Sequence, residues 1–462
     1  MDKFATNTHE RTRSEYWWIM FLMGTVSVGS SFVYDVPQAL QTQLQSAPMN
    51  LDYFKFNMIY SVYSIPNMVL PLIGGCLTKL LGVRLGIIIF AFLVLQGQMI
   101  FSLGVYWQDY LYMIIGRVIY ALGAESLYIA QLAMAVQYFS KKELTFVLGW
   151  NNSLTYLANV INGLVTPVIY EYTQTLWAPC IFGTFLCVIS LICGLAIREA
   201  DKKHHQRAVI ETEHPFVNFR KQFCNNLKSV SILFWGLLIY YIVTFPAFKA
   251  FTSNMNDLVH KRFGFSNVAA GQLGLLYYMQ LIVISPLVGS ITDKYGKRMQ
   301  WLFGSGIIAL AGHFLFAALK TEANNGYIVV LPLILLGTAD SVFETTSWSC
   351  LCISLGEEMT EMGFGLATSG MNAITVLALM LVGKISDNTK EINFGYFYSE
   401  MFLETIAVLS LITLAIVAII DYTSGSQLSK VYELEEEEAG KNKEYLDFSD
   451  EEEQECLTQD TS

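Results

Sequence analysis

Twelve apolar runs recur along the chain, each near the roughly 20 residues that a helix needs to cross the hydrocarbon core of a bilayer. They fall at about 16–40, 56–78, 85–105, 109–138, 144–170, 178–198, 230–252, 268–291, 299–319, 327–354, 362–384 and 397–420. In lipid the backbone has to satisfy its own hydrogen bonds, so only helices and closed barrels span, and these runs are too long for barrel strands. Of 462 residues, 53% are hydrophobic and 15% charged, against roughly 25% charged in an ordinary soluble chain. The sequence therefore predicts an all-α integral membrane protein. The first run leads into FVYDVPQALQ rather than a small-residue cleavage site, so it reads as a retained span and not a signal peptide.

Basic residues orient the spans. Lys3, Arg11 and Arg13 precede the first run, Lys79 and Arg84 follow the second, and Lys141 and Lys142 follow the fourth. The 199–229 loop is rich in Lys and Arg, and Lys294, Lys297 and Arg298 follow the eighth run. The opposite face holds few, and the positive-inside bias then makes both termini and the central loop cytoplasmic. The expected organisation is a cytoplasmic N-terminal segment 1–15, a six-helix half 16–198, a cytoplasmic linker 199–229, a second half 230–421, and a tail 422–462. The net charge of −11 does not conflict, because much of the acidity lies in the tail as EEEE at 435–438 and SDEEE at 449–453, a composition read as solvated and disordered.

Enzyme signatures are missing. The sequence has no HExxH, GxSxG or GxxxxGK[ST], and His313 is the one histidine within an apolar run. The eight cysteines are scattered, with Cys350 and Cys352 too close for metal spacing, and they read as small core residues. No cofactor, metal or nucleic acid is implied. The partners implied are the bilayer and a small solute.

An internal repeat supplies the architecture. GGCLTKLLGVR at 74–84 aligns with VGSITDKYGKR at 288–298, pairing Gly75 with Gly289, Thr78 with Thr292, Gly82 with Gly296 and Arg84 with Arg298. Each follows the second run of a set of six. Such parallel repeats characterise transporters whose binding site lies between the halves near the midplane. The pattern G-x-x-x-D-x-x-G-[KR]-[RK] resembles the mark of the major facilitator superfamily, intact in the second half with Asp293, whereas Lys79 replaces the aspartate in the first. GRVIYALGAES at 116–126 resembles that family's fourth-helix segment, which implies a position for Arg117 near the noncytoplasmic opening. The resemblance implies twelve transmembrane helices in two six-helix halves, with Arg117, Lys79, Arg84, Asp293 and Arg298 as gating residues.

Within that family the chain is similar to the lysosomal dipeptide transporter branch. The stretches that carry this are FVYDVPQALQTQ at 32–43, YSVYSIPN at 60–67, GAESLYIAQ at 123–131, YYIVTFP at 240–246 and FGFSNVAA at 263–270. The branch implies a facilitator that moves dipeptides out of an acidic organelle beside a glycosylated single-pass accessory protein. One feature fits: the only Asn-x-Ser/Thr sequon, Asn151-Asn152-Ser153, lies near the cytoplasmic start of the fifth run, out of reach of glycosylation. Tyr445–Phe448 matches a Tyr-x-x-apolar sorting pattern, consistent with a lysosomal or other endomembrane address, with the plasma membrane as the alternative.

Polar residues inside the runs are the candidate site. Glu125 lies halfway along the fourth run, where an uncompensated charge costs at least roughly 2.5 kcal/mol. It either faces a cavity, where the resemblance implies that it holds a substrate amine, or pairs with Arg117. The resemblance also implies an arginine in the fifth helix for the substrate carboxylate. An ungapped match puts Tyr156 there, and a phenol lacks the bidentate guanidinium fork. Lys249 either substitutes or snorkels to the interface.

Asp340 and Glu344 are spaced i, i+4 on one helical face. Two like charges there suit proton coupling or a cationic solute, unless they pair with Thr345 and Thr346. Asp35 is read as sitting at a wet end of the first helix that Pro37 terminates, lining the cavity mouth or merely ending the helix at the interface. Tyr60, Tyr63, Tyr278 and Trp348 complete the lining or serve as packing. Two function classes follow: a secondary transporter of small amine-bearing solutes, either dipeptides or cationic amino acid derivatives, and a non-transporting subunit or solute sensor on the same fold.

Overall fold

The computed structural model describes residues 13–73, 82–138, 141–202, 230–319, 326–355 and 360–430. Lys79, the 203–229 part of the linker and the tail beyond 430 lie outside the described residues. Twelve principal helices follow in order: α1 (Arg13–Ala39), α2 (Tyr53–Ser64), α3 (Val83–Trp107), α4 (Tyr110–Tyr138), α5 (Lys141–Thr173), α6 (Trp177–Lys202), α7 (Ile232–Phe263), α8 (Asn267–Tyr295), α9 (Arg298–Ala318), α10 (Val330–Ile353), α11 (Thr360–Asn388) and α12 (Tyr396–Thr423). Nine of them are long and apolar enough to cross a membrane by length and composition. Of the other three, α2 is interrupted, and α5 and α10 are diluted by amides, hydroxyls and, in α10, two acids.

Two apolar runs differ from the helices they become. The second run breaks after Ser64, where Pro66 cannot donate to a helical ladder and opens a 3₁₀ turn, Pro66–Met68. The seventh run, read as ending near 252, continues as helix to Phe263. Its extension carries Ser253, Asn254, Asn256 and Asp257, all buried, because their polar groups face other protein rather than lipid. Gly264, at φ 74°, ends α7, and the Ser266 side chain accepts the Ala269 N–H to start α8. The FGFSNVAA stretch is thus a turn between two caps.

Helices α1–α6 pack into one half and α7–α12 into the other. In the first, α3 lies against α4 so closely that a Cβ on Gly116 would sit 2.7 Å from the Gly97 carbonyl oxygen. Small residues permit such backbone approach in lipid, where no hydrophobic drive separates helix from solvent. The halves meet along α2–α11 and α5–α8, lines made equivalent by the repeat, with α1 facing α7.

One end of the bundle, the linker end, holds Lys202 and Val230, which flank 203–229, and the other, distal end carries the α1–α2 and α7–α8 turns. The distal end is closed by bonds between halves. Gln41 Nε2 donates to Asn254 Oδ1 (3.0 Å), Asn254 Nδ2 donates to Asn57 Oδ1 (2.9 Å), and Lys261 Nζ donates to Gln45 Oε1 (2.6 Å). The Asp387 carboxylate on α11 accepts the backbone N–H groups of Tyr53 (3.0 Å) and Phe54 (2.7 Å), capping α2 from the opposite half. Among the described residues, hydrogen bonds between halves occur at this end and at mid-depth, none nearer the linker end.

Candidate substrate site

Asp35 is where the sequence reading and the structure part most sharply. It is 4% exposed rather than wet, and α1 runs past Pro37 to Ala39. Pro37 lacks the N–H that the Val33 carbonyl would accept, and Arg117 takes over. Its Nη1 donates to the Val33 carbonyl (3.3 Å) and Nη2 to the Tyr34 carbonyl (2.9 Å), while the Gln38 N–H donates to Tyr60 Oη (2.9 Å). Neighbouring side chains re-satisfy a proline-broken ladder in this way when no water can. Arg117 is 1% exposed and stacks against Phe101 (4.9 Å) and Tyr120 (5.4 Å). Its partners are carbonyls, so the alternative ion pair with Glu125 does not form.

Four carboxyl groups at mid-depth each take a tyrosine hydroxyl. Tyr278 donates to Asp35 Oδ2 (3.0 Å), joining α8 to α1. Tyr63 donates to Glu125 Oε1 (2.9 Å) within the first half, and Tyr277 donates to Asp340 Oδ2 (2.7 Å) within the second. Tyr156 donates to Glu344 Oε2 (2.7 Å) across the halves. The Thr345 and Thr346 alternative for the α10 acids is therefore not the arrangement found.

Lys249 completes the constellation. With α7 continuing to Phe263 it lies within the bundle rather than near its surface, so it does not snorkel. Its Nζ sits 3.9 Å from the centroid of the Tyr34 ring, and its charge faces Asp35, Glu344, Asp340 and Glu125. Tyr34 is itself wedged edge-on between Tyr60 (5.5 Å) and Tyr63 (4.8 Å). Glu125, Tyr156, Lys249, Glu344 and Trp348 are all half-buried although they point inward from both halves. Tyr128, a turn beyond Glu125 and electrostatically coupled to Glu125 and Glu344, keeps 47% of its surface accessible. An inward group with that exposure lines a cavity. Trp348 packs toward the linker end of that wall, against Tyr241 (5.0 Å) and Phe364 (4.8 Å).

The structure brings Asp35, Tyr60, Tyr63, Glu125, Tyr156, Tyr278, Asp340 and Glu344 into this one region. Of the gating candidates, Arg117 stands beside this region, on the Val33 and Tyr34 carbonyls, whereas Arg84 and Arg298 lie elsewhere. Arg298 is buried in the second half, donating to Ser349 Oγ (3.1 Å) and the Lys430 carbonyl (3.0 Å). Arg84 is on the first turn of α3. The Asp293 side chain and all of Lys79 are outside the described residues. Tyr34, Tyr128 and Tyr277 are the lining residues that the sequence reading missed. A signal for Tyr277 existed: the numerical offset that aligns Gly75 with Gly289 also carries Tyr63 onto Tyr277 and Asp35 onto Lys249.

His313, the buried histidine of α9, is bonded to Glu400 through Nδ1 (2.8 Å), away from these acids. Among the described residues no cluster has the makeup to hold a metal ion.

The sequence and the fold both match known proteins. The Major Facilitator Superfamily profile matches residues 16–379. The chain is 28% identical over 425 residues to the Lysosomal dipeptide transporter MFSD1 of Homo sapiens, covering 89% of this chain and 87% of that protein. It is 29% identical over 418 residues to the protein of the same name from Danio rerio, covering 87% of each. Among solved structures, the peptide transporter POT in complex with sulfate superposes with a TM-score of 0.69 at 12% identity, over 89% of this chain and 96% of that one. The D-xylose-proton symporter gives 0.68 at 13%, over 86% and 97%. At such identity these two show the shared fold alone.

Proposed function

The chain belongs to the Major Facilitator Superfamily, a multi-pass membrane transporter rather than an enzyme, and from that premise we propose that it moves small amine-bearing solutes, dipeptides or cationic amino acid derivatives, across a lysosomal or related endomembrane. The observation that carries this reading is the pairing of Glu125 from one half and Asp340 and Glu344 from the other about a shared cavity. A solute ammonium held by acids of both halves sits where rocking of one half against the other exposes it to either side. The distal seal supports a state open toward the linker end. Positive-inside charge assigns that end to the cytoplasm, so release into the cytoplasm follows. The relatives' name supports dipeptides and a lysosomal site, and similarity to that branch supports an accessory single-pass partner.

Flux into proteoliposomes tests the reading. Saturable uptake of a labelled dipeptide or basic amino acid derivative by the wild-type protein is expected, with uptake strongly reduced in Glu125→Gln, which keeps the shape and removes the charge. Unimpaired uptake by a folded Glu125→Gln variant would refute the amine-anchoring role. No uptake of any such solute by folded protein would favour a non-transporting subunit.

A further inference from the structure

We infer that the cavity is built for a linear solute carrying two separated cationic groups and that such a solute needs no carboxylate of its own. This deepens, and rests on, the transport reading above.

The first support is the distribution of charge. Four carboxyl groups face one ammonium, Lys249. The other cation near them, Arg117, spends its guanidinium on the Val33 and Tyr34 carbonyls. A solute carboxylate would thus find a single positive partner already ringed by acids. Solute cations would find acids to spare, and charge within a low-dielectric site is favourable only when it is paired.

The second support is unused acceptor capacity. An ionised carboxylate offers about four lone-pair sites. Asp340 is 7% exposed, accepts the Tyr277 hydroxyl at Oδ2, and leaves Oδ1 buried with no hydrogen-bond partner among the described residues. An uncommitted buried acceptor is costly unless a donor arrives. Ammonium groups carry three donors each and supply what is missing.

The third support is the duplication of the arrangement. Tyr63 with Glu125, between α2 and α4, is repeated as Tyr277 with Asp340, between α8 and α10, in near-identical repeat register. One tyrosine-held carboxylate stands in each half. A flexible dication satisfies both, with one cationic group on each half, whereas a monocation or zwitterion satisfies one and leaves the other to Lys249.

Ligand-induced thermal shift of the purified full chain, read beside proteoliposome uptake, separates this inference from the transport reading. The probes are cadaverine, a diamine without a carboxylate; the dipeptide Lys-Ala; and the zwitterion Ala-Ala. Cadaverine and Lys-Ala are expected to stabilise the protein at concentrations about tenfold below those that Ala-Ala needs, a difference of about 1.4 kcal/mol. Asp340→Asn should erase that preference, and Glu344→Gln provides the second reading if Asp340→Asn does not fold. Stabilisation and uptake with Ala-Ala matching or exceeding cadaverine would overturn the dication inference and leave dipeptide transport standing. Stabilisation by cadaverine without uptake of any probe would uphold the inference and count against transport. No stabilisation by cadaverine overturns it.

Discussion

Tyr156 on α5 donates a 2.7 Å hydrogen bond to Glu344 on α10, so this phenol, like that of Tyr278 on Asp35, ties the two halves together at the depth of the cavity. Where the sequence resemblance implies a cation for a substrate carboxylate, this protein has a tyrosine bonded to one of its own acids. Both partners are half-buried, and a hydrogen bond to a charged group contributes on the order of 1.5–3 kcal/mol.

Tyr156→Phe should therefore leave Glu344 without its phenol and lower stability by about 1–3 kcal/mol. Tyr156→Arg should do the opposite to specificity, by adding a guanidinium fork to the cavity. Competition for uptake between a dipeptide and its C-terminal amide checks this: the free carboxylate should gain relative to the amide in Tyr156→Arg. An unchanged ratio would show that residue 156 does not meet the solute.

Arg117 and Pro37 should behave as a linked pair. Arg117→Lys replaces two directed N–H donors by a compact ammonium that cannot span both carbonyls, with an expected loss of about 1.5–3 kcal/mol in chemical denaturation. Pro37→Ala restores a backbone N–H for Val33 and should recover part of that loss in the double variant. Purely additive effects would mean that the guanidinium is not serving the proline-broken turn.

Gly116→Val should damage assembly of the first half, because its branched side chain would be driven into the Gly97 backbone. Overpacking of this kind costs about 1–3 kcal/mol. Yield of monodisperse protein in detergent and its melting temperature are the measurements, with Gly304→Val, where no neighbour lies within 4 Å, as the tolerated control.

Asp387→Asn should loosen the distal seal. The carboxylate accepts from both Tyr53 and Phe54 N–H groups, and an amide turns one acceptor into a donor facing a donor. A loss of about 1.4 kcal/mol moves a two-state equilibrium tenfold. A cysteine placed at Gln45 should then be alkylated about tenfold faster in Asp387→Asn than in the parent. Equal rates would exclude Asp387 from the closure.

The sequence by itself determined the membrane class, the helix count, the two-half organisation and which acids lie within the spans, because bilayer thickness imposes a span length and intramembrane charge is too costly to be incidental. Even the second tyrosine–carboxylate pair was latent in the repeat, since Tyr63 and Tyr277 share the offset of the glycine motif. Tertiary structure decided the partners. Whether Pro37 ends a helix depends on Arg117 arriving from α4 to take the orphaned carbonyls, and no local pattern in α1 encodes that. Whether Lys249 snorkels or faces the acids depends on how far α7 continues, and it continues because polar residues from Ser253 to Asp257 find protein rather than lipid beside them. Periodicity and composition report which groups are expensive to bury; only the packing of distant helices determines which group relieves each of them.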